Sequence, residues 1–236
     1  MAEKETVAAR FSNLAYMGNA AGRRAIEALA ALCNTLAVTI PEAEDAQERE
    51  LDRIAGEAGE AVRAGAFDAI ALPREAPRVL RLYKGKAGRG RVKIQLFPLA
   101  AGESHPPHAH HDLISCQIVI RGQVRMREYS LLRRRPDGLL EINEQPVRTL
   151  APGDRVITLQ RRNNIHWQEG LLPGTLLLNI NWQGFFSASP GGGANALDGR
   201  CYINWESARP GAAPGTLLVP EIASPDTHVN FTGERS

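Results

Sequence analysis

Histidine is the residue type with the clearest chemical pattern in this chain, because four of its six histidines lie between positions 105 and 111. His108 and His110 are separated by one residue, and on a β-strand that spacing places both side chains on the same face. His166 follows later, in another segment with a β-type pattern. Three neutral imidazoles bind a divalent metal and leave coordination positions open, which a catalytic site needs and a structural site avoids. The spacing therefore predicts a catalytic metal centre held by His108, His110 and His166.

The same histidines have simpler explanations. The cluster could be a solvated loop, or a tract that binds metal by chance. His105 precedes two prolines and is expected in a loop, while His111 adjoins His110 and points to the opposite face of a strand, so neither is predicted as a ligand. His166 stands beside Trp167, and a lone histidine in that position is more often a hydrogen-bonded core residue than a ligand.

The residues around the first two histidines form a longer pattern. Five residues separate Gly102 from His108, four separate His110 from Ser115, and six separate Ser115 from Gly122. This pattern resembles the first motif of the cupin superfamily, which runs Gly, five residues, His-x-His, three or four residues, Glu, six residues, Gly. The resemblance covers about twenty residues, and it departs from the family at Ser115, where cupins usually have a glutamate ligand.

A second pattern precedes His166. Pro152 and the Gly153-Asp154 pair predict a turn, and the β-type run 155–160 then leads to His166. This order resembles the second cupin motif, which begins with Gly-Asp and ends in a histidine ligand. The usual Pro-x-Gly is absent, and the interval from Gly153 to His166 is two residues longer than the common form. The resemblance implies that His166 is the third ligand.

Ser115 decides what charge the metal would carry. With a neutral hydroxyl in place of a carboxylate, three histidines leave a divalent metal its full charge and a vacant face for an anionic chelating ligand and dioxygen. The bare three-histidine set is similar to that of the thiol dioxygenases of the cysteine dioxygenase type. That resemblance implies iron(II), with manganese, nickel or zinc as alternatives, and the oxidation of a small thiol or chelating acid by dioxygen. It also implies that an arginine on an early strand, here Arg81, holds the substrate carboxylate, while Ser115 hydrogen-bonds a ligand or the substrate.

Two residues depart from the thiol dioxygenase pattern. Animal members have a cysteine where Ser115 aligns and a tyrosine on a late strand, joined by a thioether. Cys116 lies one position away, which turns its side chain to the opposite face, and the late run 176–182 contains no tyrosine. We expect no crosslink, and we expect Cys116 to be a small buried hydrophobe. For Arg81, a position that faces water is the alternative.

Two other classes of function stay open. A metal-binding cupin can be an isomerase, lyase or decarboxylase in which the metal acts only as a Lewis acid. The chain could also be a non-catalytic cupin that binds a small molecule, because a fold does not fix a function.

The hydrophobic period changes near residue 75. Before it, apolar residues recur at helical spacing from Ile26 to Leu36 and from Leu51 to Val62, and these faces are expected to cover a sheet or to meet a second subunit. After it come short β-type runs with turn signals between them, at 79–83, 91–96, 115–120, 123–130, 139–143, 155–159 and 176–182. The predicted fold is mainly β, a single cupin-type antiparallel β-barrel (jelly roll) with an N-terminal α-helical appendage. The predicted segments are a helical appendage at 1–75, the barrel at 76–190, and an irregular extension packing on it at 191–236. Within the extension, residues 201–205 are a candidate final strand on the barrel.

Composition narrows the partners and the compartment. The net charge of +2 gives no field for nucleic acid, and Arg133–Arg135 precede a turn signal that fits a solvated hairpin tip. The three cysteines are far apart and predict no disulfide framework, so a cytoplasmic location is expected. No run is long and apolar enough for a membrane span. The expected partners are a small-molecule substrate and dioxygen, with no nucleic acid or membrane and a possible homodimer.

Overall fold

The computed structural model describes residues 10–73, 78–87, 90–110, 112–185 and 200–222. Its α-helices are α1 (Ala20–Val38) and α2 (Glu44–Arg63), and both lie where the helical periodicity predicts them. The side chain of Asn19 accepts a hydrogen bond from the first turn of α1 and so caps it. α2 instead begins with acidic residues in its first turn, where carboxylates favour the positive end of the helix dipole.

The strands account for most of the rest of the described chain. In chain order they are β1 (Arg10–Phe11), β2 (Leu80–Ala87), β3 (Gly90–Leu99), β4 (Ser104–His110), β5 (Leu113–Arg121), β6 (Val124–Arg134), β7 (Leu139–Glu144), β8 (Arg148–Leu150), β9 (Arg155–Thr158), β10 (Ile165–Gly170), β11 (Thr175–Gln183), β12 (Arg200–Ile203), β13 (Arg209–Pro210) and β14 (Thr216–Ile222). Each β-type run predicted after residue 75 coincides with one of these strands.

One sheet carries the helices and is called the helix-covered sheet below. Its strand order is β1-β2-β3-β11-β5-β9, and the pairings are antiparallel. Alternate residues such as Ile118 and Ile180 are fully buried against α1 and α2. The indole N–H of Trp182 donates a hydrogen bond of 3.1 Å to the backbone carbonyl of Cys33 in α1. The apolar helix faces therefore cover this sheet.

The second sheet closes on itself. Its order is β10-β4-β12-β14-β7-β6-β8, and β10 also pairs with β6, so the first six strands form a ring called the closed barrel below. Each of those six strands contributes to one small apolar cluster, which includes Ala109, Tyr129, Ile165 and Val219 and fills the ring. The predicted fold class, a mainly β protein with an antiparallel barrel and an N-terminal helical appendage, is confirmed.

The space between the two sheets, here called the inter-sheet interior, lies on the other face of β4, β6 and β10. Val119 and Leu177 from the helix-covered sheet meet Val124 and Met126 from β6 in a third apolar cluster. Because side chains alternate along a strand, this contact identifies which residues of each sheet face the interior. The apolar cluster fills one part of the interior, and the remaining inward positions are mostly polar.

The C-terminal segment corrects one expectation. The sequence predicts a mostly irregular extension at 191–236 with one candidate strand at 201–205. β12 overlaps that candidate strand, whereas β13 and β14 are not predicted. β12 pairs with β4, and β14 pairs with β7, so these strands complete the closed barrel. The apolar faces of β4 and β10 that point away from the histidines require such a cover, because Ala109 and Ile165 would otherwise be exposed to water. The division of the chain at residues 75 and 190 stays a prediction.

Arginine clusters are paired with acids. Arg133 and Arg135 lie at the β6–β7 hairpin and pair with Glu141 and Asp137, as the predicted hairpin tip requires. Arg162 instead contacts the acidic start of α2, with the shortest distance, 2.8 Å, to Asp45. None of the described helices is long and apolar enough to cross a membrane.

Candidate metal centre

Strand β4 carries two of the candidate ligands through an irregular stretch. His108 pairs with His166 of β10, whereas the next pairing joins His105 to Gln168, so Pro106 and Pro107 oppose a single residue. Such a β-bulge tolerates prolines, which cannot donate a ladder hydrogen bond. The expectation that His105 lies in a loop is therefore wrong, because the bulge carries the strand through both prolines.

The structure brings the three predicted histidines together. His108, His110 and His166 are each at most 8% exposed, and their donor nitrogens all lie within 4.8 Å of one another. Their ring centroids are separated by 4.7 Å between His108 and His110, 4.5 Å between His108 and His166, and 5.1 Å between His110 and His166. Among the residues described, no acidic side chain belongs to this group. A group of three convergent, buried imidazoles can hold a metal ion.

The tautomer of His108 follows from its partner. Its Nδ1 lies 2.8 Å from the backbone carbonyl oxygen of Pro106. A carbonyl oxygen only accepts hydrogen bonds, so Nδ1 carries the proton and donates it. Nε2 therefore keeps its lone pair for a metal, and the hydrogen bond fixes the ring orientation, as the outer partners of metal-bound histidines commonly do. The donor chemistry of the site thus fits a divalent metal.

Ser115 lies on the interior face of β5. It is 1% exposed and pairs in register with Asn181 of β11 and Thr158 of β9. Its neighbour Cys116 faces the helices and is fully buried in their core, and burial raises the pKa of the Cys116 thiol well above its ordinary value. The prediction that Cys116 is a buried hydrophobe is confirmed. Ser115 therefore presents a neutral hydroxyl to the inter-sheet interior.

Arg81 lies on the same face of the helix-covered sheet. It pairs in register with Gln95 of β3, which places both side chains on the interior side, but Arg81 is exposed. Its backbone carbonyl accepts hydrogen bonds from the side chains of Ser12 and Asn13. The position is that of a residue at the edge of the interior, near β1 and open to solvent. Its role toward a substrate stays a prediction.

A buried carboxylate in the interior escaped the sequence analysis. Glu128 of β6 is 2% exposed and pairs in register with His166, on the face that Met126 also occupies. One of its oxygens accepts a hydrogen bond from Arg148 of β8. Burial raises the pKa of Glu128 above its ordinary value, and the contact with Arg148 opposes that rise. The signal for Glu128 was present in the alternation Val124-x-Met126-x-Glu128, which puts it on the apolar side of the strand.

The remaining histidines of the cluster differ from the triad. The ring of His105 lies 4.5 Å from that of His108 and 5.4 Å from that of Phe97, but His105 does not belong to the convergent group. The expectation for His111 lies outside the described residues.

Several solved structures resemble part of this chain at low sequence identity. No family model matches the sequence, and no curated protein sequence matches it. Among solved structures, an oxalate oxidase is 16% identical over 41% of this chain and 43% of its own, with a TM-score of 0.29. KdgF from Halomonas sp. is 16% identical over 48% of this chain and 86% of its own, with a TM-score of 0.32. A cupin superfamily protein from Desulfitobacterium hafniense DCB-2 is 19% identical over 48% of this chain and 93% of its own, with a TM-score of 0.29.

A Klebsiella pneumoniae protein described as having a double-stranded β-helix domain is 13% identical over 50% of this chain and 86% of its own, with a TM-score of 0.33. This chain spans less than half of the oxalate oxidase chain that it matches. Structural similarity at this level gives no information about activity. The fold assignment therefore rests on the strand order of this chain, and the site assignment rests on the geometry of its residues.

Proposed function

We propose that this protein is a metal-dependent oxygenase that uses iron(II) and dioxygen to oxidise a small thiol or another chelating acid. The observation that carries the proposal is the buried convergence of His108, His110 and His166 without an acidic member among the described residues. A divalent metal held by three neutral ligands keeps its positive charge, which favours an anionic chelating substrate. Iron(II) bound there would supply the redox chemistry with dioxygen.

The residues of the chain contribute orientation and shielding. His108 is oriented by the Pro106 carbonyl, which occupies its Nδ1 and leaves the Nε2 lone pair for a metal. Ser115 contributes a neutral, buried hydroxyl that can donate a hydrogen bond to a substrate anion without adding a negative charge. The two sheets exclude bulk water from the three histidines, which strengthens every electrostatic contact made in the interior.

Arg81 is proposed to attract the substrate carboxylate at the open edge of the interior. Its exposure suits a side chain that meets an incoming anion, and guanidinium and carboxylate groups form charge-assisted, often bidentate hydrogen bonds. Its position on the interior face beside Gln95 directs such an anion toward the space between the sheets.

The experiment that tests this function measures oxygen uptake by iron-loaded protein, purified without oxygen, with a panel of thiols and thiol acids. Uptake with a matching sulfinate product supports the proposal. If iron binds in stoichiometric amount but no thiol or chelating acid supports uptake, the oxygenase proposal fails.

Lewis-acid chemistry is the second candidate, and Glu128 is the observation that favours it. A buried carboxylate on the face of His166 has the position of a proton acceptor for an isomerase or lyase. Glu128→Gln keeps the shape and removes the base. Under this candidate the variant loses turnover of a carbonyl substrate without oxygen, whereas under the oxygenase proposal no anaerobic turnover exists to be lost.

A further inference from the structure

Four acceptor oxygens on the walls of the inter-sheet interior have no hydrogen-bond partner among the residues that the structure describes. They are Gln117 Oε1, Glu128 Oε1, Gln168 Oε1 and Asn179 Oδ1, and each of these atoms is buried. Buried polar groups in folded proteins are nearly always hydrogen-bonded, to protein or to ordered water. Four such acceptors therefore call for donors that these side chains do not receive from the described part of the chain.

Two of the acceptors stand side by side on the helix-covered sheet. Gln117 of β5 and Asn179 of β11 are direct register partners. Their chain neighbours Ile118 and Ile180 are buried against the helices, so the alternation of the strands turns both carboxamides toward the interior. Directly opposed side chains on neighbouring strands have Cβ atoms about 4.5–5.5 Å apart, close enough for one small molecule to contact both.

The other two acceptors come from the opposite wall. Glu128 pairs with His166, and Gln168 pairs with Met126, a member of the apolar cluster between the sheets. Both side chains therefore occupy the interior face of β6 and β10, the face on which His166 lies. Glu128 has one oxygen bonded to Arg148, which leaves Oε1 as its buried acceptor without a partner among the described residues.

Gln95 provides an internal comparison. It pairs with Asn179 on the same face, but its carbonyl oxygen accepts a hydrogen bond of 3.1 Å from the side chain of Asn181. The same row of amides therefore contains one satisfied acceptor, on Gln95, and two unsatisfied ones, on Asn179 and Gln117. This distribution fits a site built for a ligand with its own donors.

We propose that the inter-sheet interior binds a small molecule with several N–H or O–H donors, a polyol or a primary amine, through Gln117, Asn179, Gln168 and Glu128. The inference rests on the proposed function only for the direction of the reacting group, which would point to the three histidines. It adds that the substrate carries N–H or O–H donors beside its anionic chelating group, because the four unpaired oxygens can only accept hydrogen bonds.

The test uses zinc-loaded, ¹⁵N-labelled protein, in which no oxidation occurs, and follows the side-chain amide signals during titration. The probes are glycerol for hydroxyl donors, ethanolamine for an amine donor, and propionate as an acceptor of similar size. The variants are Gln117→Met and Asn179→Leu, with Asn143→Leu as the control. Asn143 is on β7, pairs with Thr216 of β14 and is partly exposed, so it controls for the loss of an amide other than the four acceptors.

We expect a donor probe to bind saturably, and each interior variant to bind it at least about tenfold more weakly, which corresponds to about 1.4 kcal/mol. The Asn143→Leu control should bind it as the parent does. Binding of glycerol alone identifies a polyol site, and binding of ethanolamine alone identifies an amine site. The inference is overturned if neither glycerol nor ethanolamine binds, because water would then satisfy the acceptors. It is also overturned if propionate binds as tightly as both donor probes, because the site would then show no preference for donors. If a donor probe binds but no thiol or chelating acid supports oxygen uptake by the iron-loaded protein, the proposed function fails and this inference stands.

Discussion

His108 donates a hydrogen bond from Nδ1 to the carbonyl oxygen of Pro106, two residues earlier on the same strand. The bulge that admits the two prolines is thus also the feature that orients a candidate ligand. The Nδ1 atom of His105 lies farther from the same oxygen, at 3.4 Å, and His105 stands outside the convergent group.

This difference predicts opposite results for alanine variants of two histidines that are three residues apart. His108→Ala should lose most of the bound metal, because two histidines alone hold a divalent ion poorly. His105→Ala should keep it and serves as the matched control. Metal content per chain, measured after anaerobic purification, decides between them, and equal loss in both variants would show that His105 also contributes a ligand.

A glutamate in place of Ser115 would restore the carboxylate that cupins usually have at this position. Ser115→Glu should keep the metal, since a carboxylate is a better ligand for a divalent ion than a hydroxyl. It should lower the rate of oxygen uptake at least about tenfold, because the new group takes the place meant for substrate or dioxygen. Ser115→Ala is the control for the loss of the hydroxyl alone. Unchanged turnover in Ser115→Glu would mean that this position does not face the metal.

Replacement of Arg81 is expected to weaken substrate binding. Arg81→Ala should raise KM for a thiol acid about tenfold or more while leaving iron in place, in keeping with about 1.4 kcal/mol per decade. Arg121, which is also exposed but lies at the end of β5, provides the control as Arg121→Ala. If Arg81→Ala behaves as the parent with every thiol acid that is turned over, Arg81 only faces solvent.

The contact between Asp52 and Arg155 is expected to make the free energy of unfolding depend on pH. Arg155 donates hydrogen bonds of 2.7 and 3.0 Å to its two oxygens and joins α2 to β9, and this contact lowers the pKa of Asp52. A carboxyl whose folded-state pKa is lowered adds stability above its unfolded pKa, near 3.9, and that stability is lost as pH falls through the folded pKa. Both side chains are partly exposed, so Asp52→Asn should cost only about 0.2–1 kcal/mol at pH 7.

Urea unfolding of the parent and Asp52→Asn at a series of pH values measures this contribution. The difference between their free energies of unfolding should narrow as pH falls below about 4. A difference that stays constant with pH would show that Asp52 acts through packing and not through its charge.

The sequence predicted what depends on local pattern. The metal triad could be found because His108 and His110 are close in the chain and share a strand face, and because a turn signal precedes His166. The type of turn was also predictable: Pro152 and Gly153, with φ of +87° at the glycine, form a turn closed by a hydrogen bond from Asp154 to Ala151.

The features that were missed depend on pairing between distant strands. Gln117 and Asn179 are 62 positions apart in number, and only the register of β5 with β11 makes them neighbours. The closed barrel likewise needs β14 to pair with β7, which no periodicity of either segment specifies. Pro106 and Pro107 disfavour a strand when the sequence is read alone. The β-bulge that they form opposite a single residue of β10 explains why β4 continues through them.

Metal analysis of the parent and of His166→Ala, both purified without oxygen, tests the central claim most directly. His166 is the ligand from a separate strand, so its removal breaks the convergence without disturbing His108 and His110 on β4. We expect about one iron per chain in the parent and a steep loss in the variant, with circular dichroism showing that the variant is folded. Full retention of iron by folded His166→Ala would contradict the three-histidine centre.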